Sequence, residues 1–464
     1  MRLSSKLAIL YVASTLIFLL LHTFYQGWDF SAYVLNAKYW FGHGEYFEIS
    51  RAPLTSVLLG LLSVFGWKPA EYLYIILVSF LFLISSVTLA RSLHLHRFTF
   101  YLLSLNVFVL VFGLVEGTDL LAFSFLELFL AFLLRDRTFS SVFLALACLT
   151  RYPFVLYFPL IAFHKSWKKR SLAVVFFVAP FLPWFVYNLA EYGNILYSIA
   201  DSYALNVFYR DYVPHAVNLA SVLHVFNILL PLSVLGVVPL FLRKEFLREK
   251  ILILASTVIT LFSVYSIKAS VARYYLPLTI FVASTAMYGL GTFQRKWRPL
   301  ILILFALLTF WLLFLPPFSF VLSGTEGYAP VLAQISDIEN CSLQSNIWVP
   351  LTYLGRTTAP FPRQELVQKS IDDGNYILLY YNSREPGYAT NRSFLSQFPI
   401  HYETDTFIVL GSGCAPVVPV TYSYLTRLNN ELRAAYNYTL VDNPCILLFP
   451  DSLCAVVNYI SANG

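Results

Sequence analysis

The stretch that decides the fold is the polar loop at residues 27–54, which reads GWDFSAYVLNAKYWFGHGEYFEISRAPL. It follows the first long apolar segment directly, so it is the first polar surface that the chain meets beyond the membrane. Asp29 opens the loop, and Tyr33 and Trp40 follow at helical spacing. Arg51 then returns the chain toward lipid. An acid at a membrane surface, an amphipathic helix and a basic return predict a site for a lipid-borne substrate.

The composition of the whole chain predicts an integral membrane protein. Of the 464 residues, 58% are hydrophobic and only 12% are charged, whereas soluble domains carry about 25% charged residues. Continuous apolar runs of about 20 residues recur, and each is long enough to cross the hydrocarbon as a helix. The net charge of +6 comes from short basic clusters between these runs. Such clusters are typical of cytoplasmic loops, so binding of nucleic acid is not expected.

The basic clusters also predict an orientation. Arg2 and Lys6 precede the first apolar run, which places the N-terminus in the cytoplasm. With about eleven transmembrane helices, the remaining clusters fall on the same side, at residues 91–97, 135–137, 165–170, 243–244 and 295–298. Residues 53–65 are then interfacial or re-entrant, because a crossing there would move the next cluster outside. Residues 98–115 are predicted to form one span, and residues 139–163 a hairpin with Arg151 at its tip.

The composition changes near residue 324, where a soluble character begins. We predict a transmembrane domain at residues 1–323 and an extracytoplasmic α/β domain at residues 324–464. Its predicted helices are residues 328–338 and 364–372, and its predicted strands are residues 376–381, 407–410 and 445–449. Four cysteines in this part (Cys341, Cys414, Cys445 and Cys454) are compatible with two disulfides in an oxidising compartment, although the sequence does not define their pairing.

Several ionisable residues at the predicted outer face are candidates for chemistry, because a charge near the membrane is costly. The acids are Asp29, Glu116 and Asp119, and the cations are Arg51, Arg151, Lys268 and Arg273. An acid can take a proton from a hydroxyl nucleophile, and cations can bind a phosphate and stabilise it as a leaving group. A polyprenyl-phosphate sugar carries its phosphate at this depth. The simplest reaction is a single displacement that inverts the anomeric carbon, with Asp29 as the base.

Asp29-x3-Tyr33-x3-Ala37, Gly42-x-Gly44 and Arg51-Ala-Pro53-Leu54 together resemble the first external loop of the GT-C glycosyltransferases. The resemblance is closest to the branch of protein mannosyltransferases and lipid A aminoarabinose transferases. Later stretches resemble further landmarks of that branch, namely Glu116-Gly-Thr-Asp119, Leu149-Thr-Arg151-Tyr152, Pro183-Trp184-x3-Asn188 and Arg273-Tyr-Tyr-Leu-Pro277. The resemblance covers about residues 1–320.

This resemblance implies a GT-C-like fold, a lipid-phosphate donor of a hexose or pentose, Asp29 as the catalytic base and basic residues as ligands of the donor phosphate. Phe30 stands where members often have a second acid, and Ala52 where they often have proline. Glu116 and Asp119 are therefore candidates for the second acid. No cofactor is expected to be required. The first loop lacks the Asp-x-Asp of the metal-dependent oligosaccharyltransferase branch, so the metal site of that branch is not predicted, and the use of a metal stays open.

Simpler interpretations exist for the same residues. Asp29 is a favoured N-cap for a helix that begins at Phe30, and Glu116 or Asp119 could cap the span that follows them. Arg151 could pair with an acid or reach lipid headgroups. Arg51, Lys268 and Arg273 could be interfacial anchors.

Two other classes of protein also stay open. A secondary transporter would carry repeated halves and ionisable groups near mid-membrane, and a lipid-binding scaffold would carry no catalytic base. For an enzyme, the expected partners are a polyprenyl-phosphate sugar, a protein, lipid or glycan acceptor, and the lipid bilayer. The expected location is the plasma membrane or an endomembrane, with the C-terminal domain outside the cytoplasm.

Overall fold

The computed structural model describes residues 5–206, 226–242, 246–266, 272–313, 325–381 and 386–427. Lys268, Cys445, Cys454 and the predicted strand at residues 445–449 lie outside these ranges, so those predictions are not addressed by the structure.

Helices make up most of the described chain before residue 314. They are α1 (Ser5–Tyr25), α2 (Trp28–Phe41), α3 (Leu54–Leu62), α4 (Trp67–Ser92), α5 (Arg97–Ser104), α6 (Val107–Val115), α7 (Asp119–Leu134), α8 (Ser140–Thr150), α9 (Trp167–Val178), α10 (Leu182–Tyr192), α11 (Tyr197–Ala204), α12 (Leu229–Leu242), α13 (Leu247–Ser266), α14 (Leu278–Thr292) and α15 (Arg298–Leu312). Two 3-10 segments matter for the site, Tyr152–Phe163 and Ala272–Tyr275. A short strand β1 (Tyr46–Glu48) follows α2.

By length and composition, three helical runs of the described chain can cross a membrane: α1, α4 and the run Trp167–Tyr192 that joins α9 to α10. A fourth candidate is the pair α5 and α6, which is bent by 66° at a short break. The break lies just before Asn106, whose side chain accepts a hydrogen bond from the backbone N–H of Val109 and caps α6. The span predicted for residues 98–115 is therefore divided into two helices, because a new helix starts after this asparagine.

Helix α7 is buried along nearly its whole length, as expected for a helix that is apolar all round. Helices α4 and α8 pack against it. Asp119 begins α7 and Asp136 lies just beyond its other end, so the two acids are separated by about 24 Å. We call these two sides of the bundle the Asp119 end and the Asp136 end.

Basic residues from several segments of the chain meet at the Asp136 end. Asp136 forms ion pairs with Lys169 and, at 3.8 Å, with Arg248, and its Oδ1 lies 3.1 Å from His164 Nδ1. The chain between α7 and α9 therefore leaves this end and comes back to it, as in the predicted hairpin. Arg151 lies at the turn, between α8 and the 3-10 segment Tyr152–Phe163.

The C-terminal part contains a five-stranded mixed sheet of order β3-β2-β4-β6-β5. Its strands are β2 (Leu343–Ser345), β3 (Ala359–Pro360), β4 (Tyr376–Tyr380), β5 (Ile400–Glu403) and β6 (Phe407–Leu410), and its helices are α16 (Ala329–Gln334), α17 (Trp348–Tyr353), α18 (Val367–Asp372) and α19 (Arg392–Leu395). A disulfide joins Cys341 to Cys414. The predicted class, a helical polytopic membrane protein with a C-terminal α/β domain, is confirmed, although the helix predicted at residues 328–338 is divided into three short pieces.

The C-terminal part also packs directly on the first loop. Strand β7 (Val420–Tyr422) pairs with β1 in parallel, and α17 packs against α2. The rings of Trp28 and Trp348 meet at 4.7 Å. Residues of both parts thus share one small apolar core. The domain boundary at residue 323 stays a prediction, and the two parts are in direct contact.

Candidate active site

The carboxylate of Asp29 lies between two guanidinium groups. Its Oδ1 accepts a hydrogen bond from Arg51 Nη1 at 2.8 Å, and its Oδ2 accepts one from Arg273 Nη2 at 2.6 Å. The side chains of the two arginines are only 11% and 8% exposed, so these charge-assisted bonds form in a setting poor in water. Tyr33, one helical turn after Asp29, places its ring 5.3 Å from the Arg51 guanidinium and supports it.

Asp29 does not cap its own helix. The N-cap of α2 is Gly27, and Glu116 Oε2 accepts the backbone N–H of Asp29 at 2.9 Å. An acid from another segment therefore occupies the N-terminus of α2, where negative charge is favourable. A Cβ atom on Gly27 would collide with the Glu116 carboxylate, so glycine is needed for this approach. The N-cap interpretation of Asp29 is wrong, and so is that of Glu116 and Asp119 for the next span, since α7 has Thr118 as its N-cap and no side-chain cap bond.

A second ion pair lies beside the first. Arg151 Nη1 donates to Asp119 Oδ1 and, at 3.4 Å, to Thr118 Oγ1. The Arg151 guanidinium also lies 5.3 Å from the ring of Tyr274, which follows Arg273 directly. Asp119 is buried, and its Oδ2 has no hydrogen-bond partner among the described residues. Arg151 thus pairs with an acid, and its contact with a phosphate stays a prediction.

Glu48 belongs to the same cluster, although the sequence analysis did not single it out. It lies on β1, and its Oε2 accepts a hydrogen bond from Arg51 Nε at 2.7 Å. The side-chain amide of Asn36 holds both backbone groups of Glu48, at 2.8 and 2.9 Å. The only available signal was its position three residues before Arg51, a spacing that brings side chains together in a helix. Here a tight bend after a short strand does so instead.

The cluster therefore contains four carboxylates (Asp29, Glu48, Glu116 and Asp119) and three guanidiniums (Arg51, Arg151 and Arg273), which leaves one formal negative charge in excess. Burial raises the pKa of Glu116, and the charge of Asp29 raises it further. Burial alone would lower the pKa of Arg273, but Asp29, Glu116 and Asp119 together hold it well above its usual range. Arg273 therefore stays charged, and Glu116 is a group that can take up a proton.

Of the sequence-predicted site residues, the structure brings together Asp29, Arg51, Glu116, Asp119, Arg151 and Arg273. Lys268 lies outside the described residues. Among those described, no group of three or more His, Cys, Asp or Glu side chains is arranged to hold a metal ion.

These features define the class as a helical polytopic membrane protein whose first loop carries an acid bound by arginines and whose C-terminal part contains a mixed sheet. One solved structure with a similar fold is ArnT from Cupriavidus metallidurans bound to undecaprenyl phosphate, with a TM-score of 0.60, 11% sequence identity, and coverage of 88% of this chain and 98% of that chain. ArnT in the apo state gives a TM-score of 0.58 at 11% identity, with 87% and 97% coverage. No protein-family model and no curated protein sequence matches the chain. The GT-C-like fold expected from the first loop is confirmed.

Proposed function

We propose that this protein is a glycosyltransferase. It takes a sugar from a polyprenyl-phosphate donor and transfers it, with inversion, to a hydroxyl or amine of an acceptor at the Asp119 end of the bundle. The positive-inside pattern supports an extracytoplasmic location of this end. ArnT shares the fold and was crystallised with undecaprenyl phosphate, which supports a lipid phosphate as the donor's carrier. The observation that carries the proposal is the Asp29 carboxylate held between Arg51 and Arg273.

The charge change during transfer explains why arginines suit this site. A sugar linked to a polyprenyl phosphate is a phosphodiester with one negative charge. When the bond from the anomeric carbon to the phosphate oxygen breaks, its electron pair stays on that oxygen and the phosphate gains a second charge. Guanidinium groups near the phosphate therefore bind the transition state more tightly than the bound donor, which is the condition for a faster reaction.

The base must be released from the same arginines to act. A carboxylate that accepts two charge-assisted hydrogen bonds is a weak base, because both bonds stabilise its charged form. A donor phosphate that draws one of the arginines from Asp29 would remove part of this stabilisation. Asp29 then takes the proton of the acceptor hydroxyl or amine as its oxygen or nitrogen attacks the anomeric carbon. Binding of the donor and activation of the base are thus one event.

The remaining acids keep the cluster in order during this exchange. Glu116 lies 3.6 Å from Arg273 Nη1, and Glu48 holds Arg51 through Nε. Arg273 and Arg51 therefore each keep a carboxylate partner when their hydrogen bond to Asp29 breaks. Asp119 does the same for Arg151, which is the third cation that can reach a phosphate here.

The test compares Asp29→Asn with wild type in membranes supplied with a panel of polyprenyl-phosphate sugars. Asparagine keeps the shape of the side chain but is not a base, so transfer should fall by about 10²- to 10⁴-fold. The matched control is Asp136→Asn, which changes the corresponding kind of acid at the other end of α7 and should leave transfer within about twofold of wild type. Undiminished transfer by Asp29→Asn would remove the mechanism.

One observation favours the alternative of a secondary transporter. Glu127 lies in the middle of α7, fully buried, and its Oε2 accepts hydrogen bonds from Ser85 at 2.6 Å and Ser86 at 2.8 Å. An ionisable residue at this depth is a feature of ion-coupled transport. Proton-coupled uptake that is abolished by Glu127→Gln, together with unchanged uptake in Asp29→Asn, would support transport over glycosyl transfer.

A further inference from the structure

A segment near the end of the described chain lies against the strand that carries Glu48. Strand β7 pairs with β1 in parallel, with Glu48 opposite Tyr422. The backbone N–H of Val420 donates to the Glu45 carbonyl at 2.7 Å, and that of Ile49 donates to the Tyr422 carbonyl at 3.4 Å. We call residues 420–427 the closing segment. It brings chain from the C-terminal part to the edge of the ion-pair cluster.

The closing segment contacts the cluster through the side chain of Tyr424. Tyr424 is buried, and its hydroxyl donates to Glu48 Oε1 at 3.2 Å, which also accepts from Ser50 Oγ at 3.2 Å. The other oxygen of Glu48 holds Arg51, and Arg51 holds Asp29. Three consecutive hydrogen bonds therefore join a tyrosine of the C-terminal part to the proposed base.

The membrane part holds the closing segment from its other side. Asp201 on α11 accepts hydrogen bonds at 2.6 Å from both Ser423 Oγ and the backbone N–H of Leu425. The hydroxyl of Tyr197, also on α11, lies 3.0 Å from Ser423 Oγ and 2.6 Å from Thr426 Oγ1. Tyr424 thus lies between two fixed residues, so its hydroxyl has a defined position relative to Glu48.

We propose that Tyr424 is a positioning residue for the proposed sugar transfer. It holds Glu48, and through Glu48 it orients the Arg51 guanidinium, which hydrogen-bonds to Asp29 and would bind the donor phosphate. The inference rests on the proposed function. With the tyrosine hydroxyl, Glu48 Oε1 accepts two hydrogen bonds while Oε2 holds Arg51, whereas without it only the bond from Ser50 remains of those two and Glu48 is held less firmly. The C-terminal part then contributes to donor binding.

The test measures donor and acceptor kinetics of the full-length protein carrying Tyr424→Phe. Phenylalanine keeps the ring and its packing and removes only the hydroxyl. We expect the donor KM to rise and kcat to fall, with about a tenfold loss in kcat/KM for the donor, as for loss of one hydrogen bond to a charged group. The acceptor KM should not change. A merely structural defect would instead lower the amount of active protein and leave both KM values unchanged.

The matched control is Tyr422→Phe, in the same segment, whose hydroxyl accepts a hydrogen bond from Arg427. It should leave donor kinetics unchanged, and thermal unfolding of both variants in detergent checks their folding. In a Glu48→Gln background, Tyr424→Phe should cost little more, because both changes break the same chain of contacts. Tyr424→Phe with wild-type donor kinetics, or with a loss fully additive to that of Glu48→Gln, overturns the inference alone. Wild-type protein that transfers no sugar overturns the proposed function and this inference together.

Discussion

The two ends of α7 both carry acids paired with cations, but they differ in what the cations bind. At the Asp119 end, every hydrogen bond that Arg51 and Arg273 give to described residues goes to a carboxylate. At the Asp136 end, Arg248 donates at 3.0–3.1 Å to the carbonyls of Leu133, Leu134 and Phe163, which end two helices. A guanidinium that caps helix ends cannot leave without exposing those carbonyls. One that binds only carboxylates can exchange a carboxylate for a phosphate.

Exposure separates the two clusters in the same direction. The side chains of Lys169 and Arg248 are 44% and 27% exposed, so solvent screens them and their pairs contribute little. Arg51, Arg151 and Arg273 are all at most 12% exposed. Buried ion pairs are costly to form and are costly to break by removing one partner. A functional site that needs these charges accounts for this cost. The interpretation of these arginines as interfacial anchors does not, because an anchor keeps its charge in water or among headgroups.

The largest expected difference comes from removing one cation at each end. Arg273→Ala should lower kcat/KM for the donor by about 10²- to 10³-fold, because it removes a buried donor to the phosphate and leaves Asp29 underpaired. Lys169→Ala should leave it within about twofold. Steady-state transfer at varied donor concentration measures both.

A third variant tests the geometry of the fork. Arg273→Lys keeps the charge but cannot reach Asp29 and Glu116 at once, so it should recover only a small part of the activity. Full recovery by lysine would show that charge alone is required. Equal losses in Arg273→Ala and Lys169→Ala would remove the distinction between the two ends.

A smaller effect of the opposite kind is expected at the Asp136 end. Arg248→Ala should lower the free energy of unfolding by about 2 kcal/mol, because three carbonyls lose a charged donor. The donor KM should not change, since the cluster is about 24 Å from the proposed site. Thermal unfolding in detergent and donor kinetics on the same preparation check both statements. A raised donor KM in this variant would argue that the two ends are coupled.

The sequence predicts much of the first cluster because two regular signals agree. Basic residues between apolar runs orient the helices, and that orientation alone puts Asp29, Arg151 and Arg273 at one end, where the structure also has them. Arg51 belongs to the same predicted face and is also part of the GT-C-like loop. What these residues do there stays a prediction, because the ArnT structures share only 11% identity with this chain and support the fold.

The parts that the sequence did not predict are those that depend on distant, short contacts. Strands β1 and β7 have three residues each, too few to show an alternating pattern, and they pair across most of the chain. Glu48 and Tyr424 meet only because of that pairing. The cap of α2 was missed for a related reason, since Glu116 supplies it from another segment. Rules for helix caps consider only residues near in sequence, so they favour Asp29 and do not predict a contact from Glu116.

The smallest expected effect is a change of stability with pH, and it concerns Asp201. The pKa of Asp201 is raised, whereas that of Asp136 is lowered, so the two acids can be compared directly. Burial alone would raise the pKa of Asp136. The hydrogen bond from the Lys169 ammonium, together with weaker contacts, outweighs burial and holds this pKa below its usual range. Asp201 accepts its hydrogen bonds from Ser423 and the Leu425 backbone, and burial raises its pKa to about 7. The folded state therefore binds a proton on Asp201 more tightly than the unfolded chain does. Stability from this group is fully present below the unfolded pKa of about 4 and is lost as pH rises through about 7.

Between pH 6 and 8 this loss should amount to about 1 kcal/mol in wild type. Asp201→Asn cannot titrate, so its melting temperature should fall less over that interval than that of wild type. Asp136 stays ionised throughout the interval, so Asp136→Asn should give a curve parallel to wild type, at a constant offset. Melting curves of the three proteins at pH 6, 7 and 8 decide the matter. If Asp201→Asn runs parallel to wild type as well, Asp201 is already ionised at pH 6 and the closing segment is held by a charged acid at both extremes.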